Sequence, residues 1–352
     1  MVENSHLMEL PRKILIGDNV AINLGKFVKS FDYNIENVAI ISGNTVIAMI
    51  GKKIKKTLRK ANINDFWYVK NEASLEEVSK LNEKIRKQNI DLVLGIGGGR
   101  SVDLAKMIAF NLKKPFISVP TSASHDGISS PFVSIKGTDK PYSIKASTPI
   151  GVLADTRLIS DAPKRLISSG CGDLIAKVTA VKDWELARDE NKEYFGTYAA
   201  NLASMSAEII IKRSKYLLKN KSGFRTIIEA LISAGVASCI AGSSRPCSGA
   251  EHLFSHAIEY VTKYDHGLHG ERVGLGTIIM AKLHGIDWES ISETLENVGS
   301  PTKAKQLNLR EQDIIKALTI AKSLRPERYT ILNKTKLDKK TAYDLIKSVK
   351  II

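Results

Sequence analysis

Residues 91–106 read DLVLGIGGGRSVDLAK, and four of the five residues from 95 to 99 are glycine. Glycine inside a regular element costs roughly 0.5–1 kcal/mol relative to alanine. The flanks show what this run can serve. Leu92, Val93 and Leu94 form an apolar run suited to a buried strand. Leu104, Met107 and Ile108 recur at helical spacing, with Ser101 and Asp103 near the start. Strand, glycine turn and helix in this order aim unpaired backbone N–H groups outward, with the positive end of the helix dipole behind them. An anion, most often a phosphate, fits such a turn where side chains would obstruct it. A tight turn without a ligand is the plainer alternative. The dinucleotide fingerprint GxGxxG is not met, because Gly95 and Gly97 are followed by Arg100. The pattern favours a phosphate cradle over an ordinary Rossmann site.

The surrounding chain supplies the rest of a sheet. Strand-like runs occur at residues 38–41 (VAII), 66–69 (FWYV), 92–94, 116–119 (FISV) and 151–154 (GVLA). Amphipathic helical segments such as IGKKIKKTLRKAN and LEEVSKLNEKIRKQN separate the first four. That alternation predicts βαβ units and a largely parallel sheet. SIKGTDKPYSIKAS, with Gly137, Asp139 and Pro141, predicts a β-hairpin insert. After about residue 160 the strand signal fades into long helical patterns, several rich in Ala and Ser. The expected architecture is an α/β N-terminal domain with a parallel, Rossmann-like sheet (residues 1–160) and an all-α C-terminal domain (residues 161–352). The boundary falls near ISDAPKRL. A length of 352 residues accommodates about two domains.

The chain carries 52 Lys and Arg against 37 Asp and Glu, a net charge of +15. The lysines are interleaved with acids along helices, and no long basic block or zinc finger is present, so the expectation is no nucleic-acid partner. Excess positive charge draws anionic substrates or cofactors. Cys171, Cys239 and Cys247 show no CxxC spacing, so no disulfide framework is expected and the cytoplasm is the default compartment. The N-terminus lacks an apolar signal core, and no membrane span is expected. The Ala- and Ser-rich helices give the expectation of a homo-oligomer.

Ligands of open α/β sheets bind beyond the carboxyl ends of the strands. The segment after FISV, PTSASHDGISS, offers hydroxyls from Thr121, Ser122, Ser124, Ser129 and Ser130, and ionisable groups from His125 and Asp126. In SGCGDLIAK, Asp173 follows two glycines and reads locally as a helix N-cap. In GAEHLFSHAIE, His252 and His256 are four apart and share one helix face. YDHGLHGERVGLGT places His266 and His269 at another helix start. Four of the seven histidines fall within residues 252–269, which is tight for scattered structural histidines. Asp, His and His make a sensible zinc or ferrous site with a position left open for a substrate oxygen. With a nicotinamide ring nearby, the natural reaction is hydride transfer at an alcohol carbon.

GIGGGRSVDLAK, VPTSASHDGISSPF, SGCGDLIAK, GAEHLFSHAIE and HGLHGERVGLGT, in this order, resemble the superfamily of metal-dependent polyol dehydrogenases, which includes iron-type alcohol dehydrogenases and dehydroquinate synthase. HDGISSP and the late RPERYTIL are most similar to the archaeal sn-glycerol-1-phosphate dehydrogenases, and the similarity covers nearly the whole chain. The resemblance implies a dehydroquinate synthase-like fold. It also implies NADH- or NADPH-dependent reduction of dihydroxyacetone phosphate to sn-glycerol 1-phosphate, for archaeal membrane phospholipids. By matched motif, Asp173, His252 and His269 would hold Zn2+ as a Lewis acid. Asp126, Asp173 and His256 would meet the substrate, with Asp173 and His256 in catalytic roles. Gly99, Arg100, Ser101, Val102 and Asp103 would line the cofactor diphosphate, and Thr121, Ser122, Ala123, Ser124 and Ser130 would contact the cofactor further along. His266, three residues before His269, is the alternative third ligand. A dehydrogenase for an unphosphorylated polyol such as glycerol is the rival activity, and a dehydroquinate synthase-like lyase a more distant one. Where NAD-preferring relatives place an acid after the first strand, this chain has the uncharged Asn44 and Thr45, so use of both NADH and NADPH is expected. Arg325 and Arg328 are open candidates for the substrate phosphate.

Overall fold

The computed structural model describes residues 6–69, 72–137, 143–263 and 266–352. Six strands form one parallel sheet: β1 (Lys13–Gly17), β2 (Asn37–Ser42), β3 (Asn64–Val69), β4 (Leu92–Gly97), β5 (Phe116–Pro120) and, after an insert, β8 (Gly151–Asp155). Their spatial order is β1-β8-β5-β4-β2-β3, and every adjacent pair is parallel. The insert is an antiparallel pair, β6 (Phe132–Ser134) with β7 (Ser143–Lys145). All five predicted runs are strands, and the flanks of the predicted hairpin pair as expected; Asp139 and Pro141 lie outside the described residues. β1 is an addition. Its KILIG begins with a lysine and lies half open at the sheet edge, so neither alternation nor full apolarity marks it.

Period-two alternation decides the two faces of the sheet. Val38 and Ile40 pack with Leu24, Phe27, Ile54 and Leu58 on one side. Ala39 and Ile41 pack with Val78, Leu81, Ile85 and Val102 on the other. Both faces are thereby covered by helices, which is why these strands are apolar throughout. From β2 the chain crosses outward to β3 at the edge, then returns to β4 on the other side of β2. The crevice beyond the carboxyl ends of β2 and β4 is therefore the topological switch point, and the glycine turn opens there.

Among the described residues, every element after β8 is helical. The segment DLIAKVTAVKDWELAR, whose pattern reads as one helix, is divided between two, Lys164–Ile175 and Lys177–Asn191, with Ala176 between them. Asp173 thus stands in the last turn of a helix and is no N-cap. The reason is packing. A Cβ on Gly170 would lie 2.0 Å from the Ala123 carbonyl oxygen, and one on Gly172 would lie 2.4 Å from that of Gly270. These glycines let backbones touch and do not mark a turn. The helix Lys221–Ala241 is long and apolar enough to cross a membrane by length and composition. Its Ile227, Ile228, Leu231 and Ala234 are fully buried in the helical core.

Candidate active site

Three helices bring the predicted cation ligands together. Asp173 comes from Lys164–Ile175, His252 from Ala250–Thr262 and His269 from the first residue of His269–Leu283. Oδ1 of Asp173 lies 3.4 Å from Nε2 of His252 and 3.8 Å from Nε2 of His269. One ligand-type atom from each residue falls within 4.8 Å of the other two. His266 is outside this cluster; its carbonyl oxygen accepts from Nη1 of Arg272 at 2.9 Å. Asp173 is buried, whereas 27% of the His269 side chain is exposed, so the cluster opens to solvent on the His269 side.

Buried charges orient these side chains. Nδ1 of His252 donates to Oε1 of Glu251 at 2.8 Å, which leaves Nε2 facing Asp173. Glu251 is itself held by the Gly249 N–H at 2.6 Å and the Thr179 hydroxyl at 2.7 Å. The Lys177 ammonium, fully buried, lies 2.8 Å from Oδ2 of Asp126 and 3.0 Å from Oδ1 of Asp173. Burial alone would raise the Asp173 pKa, but Lys177 and then His252 hold it well below the usual carboxylate range. Burial, with repulsion from His252, pushes His269 well below the usual imidazole value, so its ring stays neutral and able to ligate. A carboxylate and two imidazoles with an open side suit a divalent cation of the zinc or ferrous kind.

His256 stands on the same helix as His252, and its ring centroid is 6.3 Å from that of His269. Its Nδ1 donates to Oε2 of Glu259 at 3.1 Å. Glu259 is paired in turn with Arg272, whose Nε also donates to Ser255 at 3.3 Å.

The segment of residues 120–130 joins this cluster to the glycine turn. The Asp126 N–H donates to Oδ2 of Asp173 at 2.9 Å, and the Ser169 hydroxyl donates to the Ser124 carbonyl at 3.2 Å. Lys106, buried, holds the same segment through the carbonyls of Gly127 and Phe132, each at 2.8 Å. At the turn itself Gly97 has φ 154° and Gly98 caps the helix Gly99–Leu112. The Gly99 and Arg100 N–H groups at the start of that helix lack intrahelical acceptors, whereas those of Ser101 and Val102 donate to the Gly98 carbonyl at 2.9 and 3.2 Å. The Ser122 hydroxyl is buried with no hydrogen-bond partner among the described residues, 3.2 Å from where a Cβ on Gly98 would stand. A bare backbone beside an orphaned hydroxyl fits a cofactor diphosphate. Thr121 is tied to the turn by its N–H, 2.9 Å from the Gly97 carbonyl, and Ala123 packs on Gly170. Arg100 is exposed at the helix start, while Ser101 and Val102 are buried. Asp103 accepts from the Ser134 N–H at 3.2 Å, and the Ser130 hydroxyl accepts from the Phe132 N–H at 3.4 Å. Arg325 pairs with Glu327 at 2.8 Å, and the buried Arg328 donates to the Ser244 hydroxyl at 2.8 Å.

The charged residues in this region that escaped the sequence reading include Lys177, Glu251, Glu259 and Arg272. Spacing carried a signal for three of them. Lys177 is one helical turn from Asp173, Glu259 is three residues from His256, and Glu251 adjoins His252.

A parallel sheet with a glycine turn at its switch point, followed by helices that converge an Asp/His/His cluster, defines the class of metal-dependent nicotinamide dehydrogenases. Comparison with known proteins agrees. The model of the family described as iron-containing alcohol dehydrogenase matches residues 15–163. The glycerol-1-phosphate dehydrogenase (NAD(P)+) of Nitrosopumilus maritimus is 51% identical over 348 residues, covering 99% of this chain and 98% of the relative. That of Thermococcus sibiricus is 48% identical, covering 100% of each. Among solved structures, glycerol dehydrogenase from Schizosaccharomyces pombe superposes with a TM-score of 0.82 at 22% identity, covering 99% of this chain and 91% of that one. At that identity the likeness speaks to the fold. The chain belongs to the family of NAD(P)+-type glycerol-1-phosphate dehydrogenases.

Proposed function

We propose that this protein reduces dihydroxyacetone phosphate to sn-glycerol 1-phosphate with NADH or NADPH, and so supplies the glycerol backbone of archaeal membrane phospholipids. The observation that carries the reading is the Asp173/His252/His269 cluster, tied through residues 120–130 to the glycine turn. A divalent cation held by Asp173, His252 and His269 would supply Lewis-acid polarisation of the substrate oxygen. The nicotinamide, with its diphosphate at the glycine turn, would supply the hydride.

The chain's own groups do the rest. Lys177 fixes the carboxylates of Asp126 and Asp173 together. Asp126 keeps an open edge, with 17% of its side chain exposed, and is placed to accept a substrate hydroxyl. The carboxylate of Glu259 holds Nδ1 of His256 and so fixes the ring, from which Nε2 can pass a proton to the nascent alcohol. The exposed Tyr198, Met205 and Tyr216 on the helix Thr197–Leu217 support a homo-oligomer, which we place in the cytoplasm.

The test follows loss of nicotinamide absorbance with dihydroxyacetone phosphate and NADPH, with dihydroxyacetone as control. Turnover of the phosphate ester in clear preference to dihydroxyacetone is expected. Preference for dihydroxyacetone would select a polyol dehydrogenase instead, and no turnover of either would sink both.

A further inference from the structure

Two glycines from different motifs clear space for one imidazole. A Cβ on Gly99 would lie 2.0 Å from Nε2 of His125, and a Cβ on Gly127 would lie 2.3 Å from its Cε1. A side chain at either position would push the ring aside. The tautomer is fixed as well as the place. The Gly127 N–H donates to Nδ1 at 2.9 Å, so in the neutral ring the proton sits on Nε2. The backbone of His125 is extended, φ −170° and ψ 168°, and needs no strain to hold this pose.

Nε2 of His125 is therefore an N–H donor above the first turn of the helix Gly99–Leu112, where unpaired backbone donors already converge. Among the described residues no protein acceptor takes its proton. On the other side the ring meets that of His269 edge-on, with centroids 6.1 Å apart and planes at 76°. His125 thus stands at the seam between the glycine turn and the cation ligands.

We infer that His125 is a phosphate-binding residue, donating from Nε2 to a phosphate oxygen of a bound reactant. The inference rests on the function proposed above, because both reactants then carry phosphate: the cofactor as a diphosphate and the triose as a monoester. A ring kept only for packing would need neither a fixed tautomer nor a bare backbone under its donor atom.

The test uses two variants. His125→Asn keeps an acceptor near Nδ1 for the Gly127 N–H but cannot reach to Nε2. His125→Gln carries an amide donor near the Nε2 position. NADPH binding is titrated by its fluorescence without substrate, and KM and kcat are measured for dihydroxyacetone phosphate and for dihydroxyacetone. The asparagine variant should weaken one phosphate-bearing reactant by about tenfold or more, as expected for a lost hydrogen bond to a charged group, and glutamine should restore most of it. A raised dissociation constant for NADPH assigns the contact to the cofactor. A raised KM for dihydroxyacetone phosphate, with NADPH binding and kcat/KM for dihydroxyacetone unchanged, assigns it to the substrate. The inference is overturned if both variants bind both reactants as the wild type does, or if glutamine loses as much as asparagine. If the wild type itself fails to turn over the phosphate ester, the proposed function falls, while the NADPH titration still decides whether His125 meets the cofactor.

Discussion

The Lys177 ammonium lies 3.0 Å from Oδ1 of Asp173, the oxygen that Nε2 of His252 and of His269 also approach. A fixed cation of the chain therefore neutralises the carboxylate that would grip a mobile one. Removing it leaves the buried Asp173 beside the half-buried Asp126 without compensation. Lys177→Met should cost the metal-free protein about 3–5 kcal/mol, the usual result of breaking a buried pair. Bound zinc should return part of that loss, because its charge takes over the same duty. The melting temperature measured with chelator and with excess zinc checks this. An increment on adding zinc no larger in the variant than in the wild type would argue against it.

Glu251, buried behind His252, sets the tautomer of that ring. Replacing it with glutamine should lower zinc affinity by about 10–100-fold, as loss of a carboxylate behind a ligating histidine commonly does. Competition against a chromogenic chelator measures this without reference to turnover. In the same assay His269→Ala should lose the metal and His266→Ala should keep it, since only the former ring joins Asp173 and His252. Retention by the first and loss by the second would reverse the assignment.

The sheet was legible because its signals are local. Runs such as VAII and FISV announce buried strands by composition, and the glycine turn announces itself by what it lacks. β1 was hidden because an edge strand opening on Lys13 resembles a loop. In the helical half, the same residue types serve jobs that no short window distinguishes. Gly97 to Gly99 open a turn, whereas Gly95, inside β4, admits the helix packed on the strand and Gly170, Gly172 and Gly270 admit neighbouring backbone. That difference is tertiary, and it is why Asp173 reads as a helix start and proves to be a helix end. The Asp173, His252 and His269 cluster was legible by residue type. Lys177, Glu251, Glu259 and Arg272 were not, because a charged residue on a helix is ordinarily solvated, and only packing shows that these are buried.

The three cysteines should be inert in the folded protein. Burial pushes the thiol of Cys171 up to about 12 and that of Cys239 to about 11, and raises Cys247 well above its ordinary value. Since the thiolate is the reactive form, a thiol reagent at neutral pH should titrate none of the three in the native state and all of them in denaturant. Rapid labelling of a native cysteine would show that its helix opens.

Acid should act in part through Glu259. Burial alone would raise its pKa, but Arg272 and then His256 outweigh it and hold the carboxyl below the ordinary glutamate value. A group whose pKa is depressed on folding contributes stability above its unfolded pKa, and that contribution is lost as pH falls through the folded value. Glu259→Gln does not titrate there. The gap between wild type and Glu259→Gln in urea midpoint should therefore be widest near neutrality, begin to narrow only as the pH drops below about 4.3, and close once it has fallen through the depressed folded value. A gap constant with pH would mean that the carboxylate charge contributes nothing.

Cofactor choice should turn on Asn44. It opens the helix Asn44–Lys60 directly after β2, beside the β4 glycine turn at the switch point, where a carboxylate would face the ribose hydroxyls of a dinucleotide and repel a 2′-phosphate. The uncharged side chain present there leaves both cofactors admissible. Asn44→Asp introduces the charge at small structural cost, because an acid in the first turn complements the helix dipole. It should raise KM for NADPH by about tenfold, some 1.4 kcal/mol of repulsion, while leaving KM for NADH unchanged or lower. Steady-state kinetics with the two cofactors at saturating dihydroxyacetone phosphate decide the matter. Parallel changes in both constants would place the 2′-position away from Asn44 and move the source of dual specificity elsewhere along the crevice.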